Sequence, residues 1–269
     1  MDGWSERGMT PIPSGATALG SGLWGMLYTS RHEGARRVVR VRIVQFGSHT
    51  VSWRCCRFTY AELGAGMLAQ IERIYVTSFP PEEREPVSVL ADDIREGRAA
   101  LYAAVEGPTV LGFGLTLPLT IKGWSYLSYL AVGPSRRGSG VGGQLFRTIL
   151  EAPDAGAERG ALVWEVERPE AGAQMEDAMV RRIAFYERHG GIVLHQVRDF
   201  QMPTMTPGQG PDTLPAHLMW ASTGTCRRLS RAEVMALVAA VYRVGYGRDL
   251  TDPVVRYVLG TVGPGHERM

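Results

Sequence analysis

From Leu130 to Leu150 the chain reads LAVGPSRRGSGVGGQLFRTIL, a stretch with the residue types of an anion cradle. An apolar run with strand character, Tyr126, Leu127, Tyr129, Leu130 and Val132, meets Gly133-Pro134 and then a basic, glycine-rich loop. Val141, Leu145 and Ile149 follow at the spacing of one helix face, so the loop opens a helix. Such a loop aims several backbone N–H groups, reinforced by the partial positive charge of the helix start, at whatever lies over it, and phosphate is the natural guest. Arg136 and Arg137 add positive charge just before Gly138. The expected contacts to a diphosphate are Arg136, Arg137, Gly138, Gly140, Gly142 and Gly143.

Three kinds of phosphate loop compete for this stretch. A P-loop needs Gly-Lys-Ser/Thr at its close, but Gly142 and Gly143 are followed by Gln144, which removes the lysine and the magnesium hydroxyl. Gly138, Gly140 and Gly143 do spell G-x-G-x-x-G, with Glu165 further on at a strand end, as in a dinucleotide site. A dinucleotide turn starts directly at the strand end, however, and here a five-residue stretch separates Val132 from Gly138. The third pattern is R-x-x-G-x-G, at Arg137, Gly140 and Gly142, after a strand ending Leu-Ala-Val-x-Pro. That combination resembles the coenzyme A loop of the GNAT superfamily of N-acetyltransferases.

The elements around the loop must position it. From Val51 the reading is a strand (Ser52–Thr59), a helix (Tyr60–Val76) ended by Phe79-Pro80-Pro81, and a second helix (Glu85–Glu96). Two antiparallel strands follow (Ala99–Val105 and Val110–Pro118), and then the strand that feeds the loop. After the loop helix and a small-residue connection, Pro153–Gly160, comes a buried strand, Ala161–Glu167, with Glu165 and Glu167 on one face and Trp164 and Val166 on the other. A helix from Asp177 to His189 stops at Gly190-Gly191, and Ile192–Gln201 and Ala216–Ser222 are expected as the last two strands. Strand, loop, helix and strand joined by a right-handed crossover put the loop strand parallel to LVWEVE, with the ligand at their carboxyl ends. This order again resembles the GNAT fold, a mixed α/β (α+β) architecture in which those two strands splay around the pantetheine arm. A second matching motif is FYERHGG, Phe185–Gly191.

Beyond this region, residues 223–269 add helices near Arg231–Gly245 and Asp252–Leu259, a C-terminal helical extension whose apolar stripe would wall the amine site or mediate a homodimer. Residues 1–50 carry Arg31, Arg36, Arg37, Arg40 and Arg42 against few acids and read as a basic, poorly ordered tail, with Arg37–Val44 as an alternating strand in the other reading. The expected domains are therefore 1–50, 51–222 and 223–269.

Composition fits a globular chain of one domain with extensions: 269 residues, 45% apolar and 21% charged, enough for a full core. A formal charge of +2 does not call for a nucleic-acid partner. Cys55, Cys56 and Cys226 make no C-x-x-C spacing and the six histidines no H-x-x-x-H, so neither a disulfide framework nor a metal site is expected, in keeping with a cytoplasmic location. No apolar run is long enough to suggest a membrane span.

Acyl transfer to an amine needs a neutral amine, a polarised carbonyl and a proton for the departing thiolate. Backbone N–H groups of the loop strand, around Leu130 to Val132, could bind the thioester carbonyl, and Glu165, with Glu167 behind it, is the candidate base. The resemblance implies acetyl-coenzyme A as cosubstrate, a small-molecule or protein amine as acceptor, and Tyr186 as the residue that protonates the sulfur. Two positions depart from the family pattern: Met179 stands where an asparagine often opens the second-motif helix, and Gly191 where an aromatic usually follows its terminal glycine. A non-catalytic acyl-coenzyme A sensor on the same fold is the alternative function.

Overall fold

A computed structural model describes residues 24–32, 35–46, 49–152, 161–174, 177–205, 208, 211–224 and 228–263. The strands are β1 (Trp24–His32), β2 (Ala35–Phe46), β3 (His49–Phe58), β4 (Ala100–Glu106), β5 (Thr109–Pro118), β6 (Trp124–Val132), β7 (Ala161–Glu167), β8 (Ile192–Val193), β9 (Phe200–Pro203) and β10 (Thr213–Ser222). The helices are α1 (Ala65–Ser78), α2 (Val87–Arg95), α3 (Val141–Glu151), α4 (Ala178–Arg188), α5 (Arg231–Tyr246) and α6 (Pro253–Thr261). Among the described residues the strands form one sheet in the order β1-β2-β3-β4-β5-β6-β7-β10-β8, with β9 beside β10. Every pairing is antiparallel except that of β6 with β7.

Alternation, reset in β6 where Ser128 is an extra residue, divides the sheet's two faces. Cys56, Leu101, Phe113, Tyr129 and Ala131 pack against α1 and α2, whereas Cys55, Tyr102, Leu127, Leu162 and Trp164 pack against α3 and α4. α5 lies on the α1 side: its Val234, Leu237, Val238 and Val241 share a core with Tyr126, Val163, Leu218 and Trp220, and Leu117 touches both clusters. The C-terminal helices therefore complete the main core instead of standing apart from it. β5 has to run unusually close to β6 and α3, and Gly112 makes that possible. A Cβ there would sit 2.7 Å from the Ala131 carbonyl oxygen and 3.2 Å from Leu145 Cδ1. Backbone cannot yield as a side-chain tip can, so Gly112→Ala is expected to lose about 1–3 kcal/mol, read as a lower urea midpoint at unchanged slope. An unchanged midpoint would mean that β5 has slack here.

Three expectations need correction. Within the expected tail, residues 24–32 and 35–46 lie in strands, in line with the alternating-strand reading of Arg37–Val44: β2 pairs along β3, giving that strand's outer backbone groups hydrogen-bond partners, and Val38, Val39, Val41, Ile43 and Val44 supply β-branched residues suited to the task. Residues 1–23, the 153–160 connection and Cys226 lie outside the described residues. The expected helix from Tyr60 breaks at Gly64, leaving a 3₁₀ turn (Tyr60–Glu62) with a Thr59/Glu62 capping box before α1. The expected strand Ile192–Gln201 is split into β8 and β9. Between them Val197, buried, leaves the sheet to bridge Val262 after α6, and the Gln196 amide donates to the Leu229 carbonyl at 2.9 Å.

Candidate active site

β6 and β7 pair only over Trp124–Tyr126 and Ala161–Val163 and then part. On its other side β6 carries a bulge: Leu115 opposes Tyr129 and Thr116 opposes Leu127, leaving Ser128 as the extra residue. From Leu127 to Val132 the strand thus has no partner on the β7 side, and its edge opens into a cavity of about 720 Å³. The cavity is basic at one end and acidic at the other. Arg136, Arg137, Arg147, Arg188 and His189 line the first, and Glu83, Glu165 and Glu167 the second.

At the basic end the loop takes the form its glycines allow. Gly138 and Gly140 have φ of +76° and +83°, in the left-handed region where a side chain is strained, and Gly140 caps α3. The first bond within α3 runs from Gln144 N–H to Gly140 C=O, so the N–H groups of Val141, Gly142 and Gly143 have no partner inside the helix. A Cβ on Gly142 would approach Val132 Cγ2 at 3.3 Å and Phe185 at 3.6 Å, filling the cradle. Gly143 has none because the His189 imidazole occupies that space. Arg137 lies against the end of β6, its Nε donating to the Val132 carbonyl at 3.3 Å. Arg136 lines the cavity too, but pairs with Glu106 at 2.6 Å. Glycines that admit a close guest, unpartnered N–H groups and a cationic rim are a donor set that fits a diphosphate such as that of coenzyme A.

α4 closes the cavity from the other side. Asp177 starts it by accepting from the N–H groups of Met179 and Val180, at 2.6 and 3.3 Å. Tyr186 is buried in an aromatic box, its ring 4.7 Å from Trp164, 5.4 Å from Phe146 and 5.1 Å from Phe185, and it makes no side-chain hydrogen bond among the described residues. Burial pushes its pKa up to about 12, against the pull of the Arg182 charge. Gly190, at φ +87°, ends the helix, and Gly191 tucks beneath Trp164, where a Cβ would come within 3.0 Å of the indole. The aromatic residue expected after the terminal glycine has no room here. His189, which follows the last residue of α4, reaches across to α3 and lines the cavity. Burial, then Arg147 and Arg188, lower its pKa.

At the acidic end Glu165 is held by two phenols. Its Oε1 accepts from Tyr126 at 3.0 Å and from Tyr246, the last residue of α5. Burial drives Glu165 up to about 7 even though both hydroxyl donors favour the ionised form. Glu83, in the 3₁₀ turn Pro81–Glu83, is also raised to about 7, by burial first and then by the charge of Glu167, while Arg182 opposes the rise. Glu167 itself pairs with Arg182 at 3.5 Å. A main-chain bond, Met205 N–H to Glu82 C=O at 2.7 Å, ties the segment after β9 to this turn.

The structure thus brings Leu130, Val132, Arg136, Arg137, Gly138, Gly140, Gly142, Gly143, Glu165 and Tyr186 around one cavity. Sequence reasoning missed Glu83, Tyr126 and Tyr246. Tyr246 continues the ridge Val238–Tyr242–Tyr246 at helical spacing, a signal of burial, but nothing local pointed it at Glu165.

A parallel strand pair splayed above a glycine cradle, with helices on both faces, is the architecture of the acyl-coenzyme A N-acyltransferase fold. Residues 68–191 match the Acetyltransferase (GNAT) family, so the chain carries a GNAT acetyltransferase domain and is an acyltransferase by class. A Bacteroides thetaiotaomicron protein assigned to the GNAT family superposes with a TM-score of 0.57 at 25% identity, covering 73% of this chain and 99% of its own. An aminoglycoside 6'-N-acetyltransferase from Enterococcus faecium gives 0.44 at 16% identity, over 65% of this chain and 99% of that one. Another aminoglycoside 6'-N-acetyltransferase, complexed with coenzyme A, gives 0.44 at 15%, over 64% and 99%. Comparison with curated proteins gives no match. Among the described residues no helix is long and apolar enough to cross a membrane.

Proposed function

We propose that this protein transfers an acetyl group from acetyl-coenzyme A directly to a primary amine. The observation that carries the reading is the parting of β6 and β7 after Tyr126 and Val163, which opens one cavity onto both the glycine cradle and the Glu165 carboxyl. Acetyl-coenzyme A would supply the activated acyl group. Gly138, Gly140, Gly142 and Gly143 would bind its diphosphate with Arg137, and Arg136 would join them on exchanging Glu106 for phosphate. The unpaired edge of β6 from Leu130 to Val132 would hydrogen-bond the thioester carbonyl.

The amine enters from the end lined by Glu83 and Glu167, whose charge favours a cation. Glu165, as the carboxylate, accepts its proton. Tyr186 donates a hydrogen bond to the departing sulfur. At about 12 its pKa stands well above a thiol's reference value near 8.5, so full transfer of the phenol proton is uphill by roughly 5 kcal/mol. A protonated Glu165, near 7, is the better proton source for the thiolate.

Calorimetry with acetyl-coenzyme A, followed by thiol release across a panel of small amines and peptide N-termini, tests the reading. Binding together with amine-dependent thiol release is expected. Tight binding with no product from any amine would favour the acyl-coenzyme A sensor, and tight binding of a nicotinamide dinucleotide instead would overturn the assignment.

A further inference from the structure

We propose that Tyr246, delivered by the C-terminal helix α5, is a positioning residue that together with Tyr126 holds the Glu165 carboxylate at the strand gap, ready to take the acceptor's proton. The inference rests on the acetyl-transfer reading above and concerns a residue outside the matched family region, which ends at residue 191.

The geometry is convergent. Tyr126 on β6, Glu165 on β7 and Tyr246 on α5 come from three separate elements, and both hydroxyls reach the same oxygen, Oε1, while lying 3.4 Å from each other. A second, independent feature brings the two phenols together. Gly245 stands inside α5, where glycine costs about 1 kcal/mol relative to alanine, and a Cβ there would lie 2.8 Å from Tyr126 Cε1. Its absence lets the Tyr126 ring lie directly on the helix. Gly247, at φ +64°, ends α5 immediately afterwards, leaving Tyr246 on its final turn.

Among the described residues no cation pairs with Glu165. α4 faces the site with Tyr186 and with Arg182, whose guanidinium bonds Glu167, and β10 sets Leu218 opposite Glu165. β9 contributes Met202 and Pro203, and Tyr242, one turn back on α5, donates to the Gln201 carbonyl at 2.6 Å. Tyr129, on β6, is turned toward the Glu83 and Glu85 backbone. The two phenols are therefore the leading hydrogen-bond donors that support the charged form of Glu165 against burial, with the backbone N–H of Glu165 itself as a smaller third. Removing one raises the pH at which the carboxylate forms.

The test is Tyr246→Phe, a change that conserves the ring and its packing. Glu165 is titrated by NMR in protein carrying 13C-labelled glutamate carboxyls, its resonance identified by its loss in Glu165→Gln. This readout needs neither cosubstrate nor acceptor. An upward shift of about one pH unit or more is expected, with the acidic limb of kcat/KM for an amine active in the panel moving by the same amount. Tyr126→Phe should shift the titration in the same direction, which keeps the proposal testable if either variant folds poorly. An unmoved titration, with activity lowered equally at every pH, would make Tyr246 a packing residue and overturn the inference. Retention of the acidic limb in Glu165→Gln would overturn the base assignment itself, a failure distinguishable from the first because the titration shift would persist.

Discussion

Glu165→Gln is expected to lower kcat by about 10²- to 10⁴-fold while leaving the calorimetric affinity for acetyl-coenzyme A close to that of the wild type. The amide keeps the size and the contacts to Tyr126 and Tyr246 but cannot take a proton. The cradle at Gly138–Gly143 belongs to other elements and is untouched. The wild-type rate should rise with pH through about 7, where the carboxyl ionises, and the variant should lose that limb. Stability has the opposite slope. The folded value near 7 lies above the ordinary 4.5, so the native state holds the proton more tightly than the unfolded chain does. The resulting stabilisation is present below about 4.5 and is lost as pH rises through 7. Denaturant midpoints measured across this window should therefore fall more steeply in the wild type than in Glu165→Gln. Equal slopes would place the titration elsewhere, and full activity in the variant would remove Glu165 from the reaction.

Phe146→Ala should produce the largest loss of stability, about 3–5 kcal/mol, because its ring is fully buried where α3, α4 and β7 meet. Trp164 lies 5.2 Å from it and Tyr186 5.4 Å, both edge-on, with Phe185 and His189 at 6.5 and 6.3 Å. The cavity left behind opens directly behind Tyr186, so the phenol's position should loosen together with the fold. Phe146→Leu, which refills most of the space, should recover the larger part of the urea midpoint. A loss below about 1 kcal/mol for the alanine variant would show that the aromatic box collapses to fill the void.

Local signals carried much of this architecture. Val141, Leu145 and Ile149 marked α3, the alternation in LVWEVE separated Glu165 from Trp164, and the proline pair after Phe79 ended α1, all through interactions within a few residues. Contacts made at long range were not legible. Tyr246 falls just past the expected helix end at Gly245, and only the packing of α5 onto β6 and β7 turns its hydroxyl into a partner of Glu165. Glu83 likewise follows a proline pair in what reads as an ordinary turn, and gains its character from burial opposite Glu167. Arg37–Val44 could be read as an alternating strand, but the run of arginines favoured a basic tail over β2.

The dependence of Glu165 on α5 also sets an order of events during synthesis. A ribosome delivers β6, β7 and the glycine loop long before residue 246, and domains assemble from the N-terminal side as they emerge. Until α5 arrives, Tyr126, Val163, Leu218 and Trp220 lack the helix that packs on them, and the Glu165 carboxyl lacks one of its two phenols. The nascent polypeptide therefore has its glycine cradle in place before the second phenol reaches Glu165.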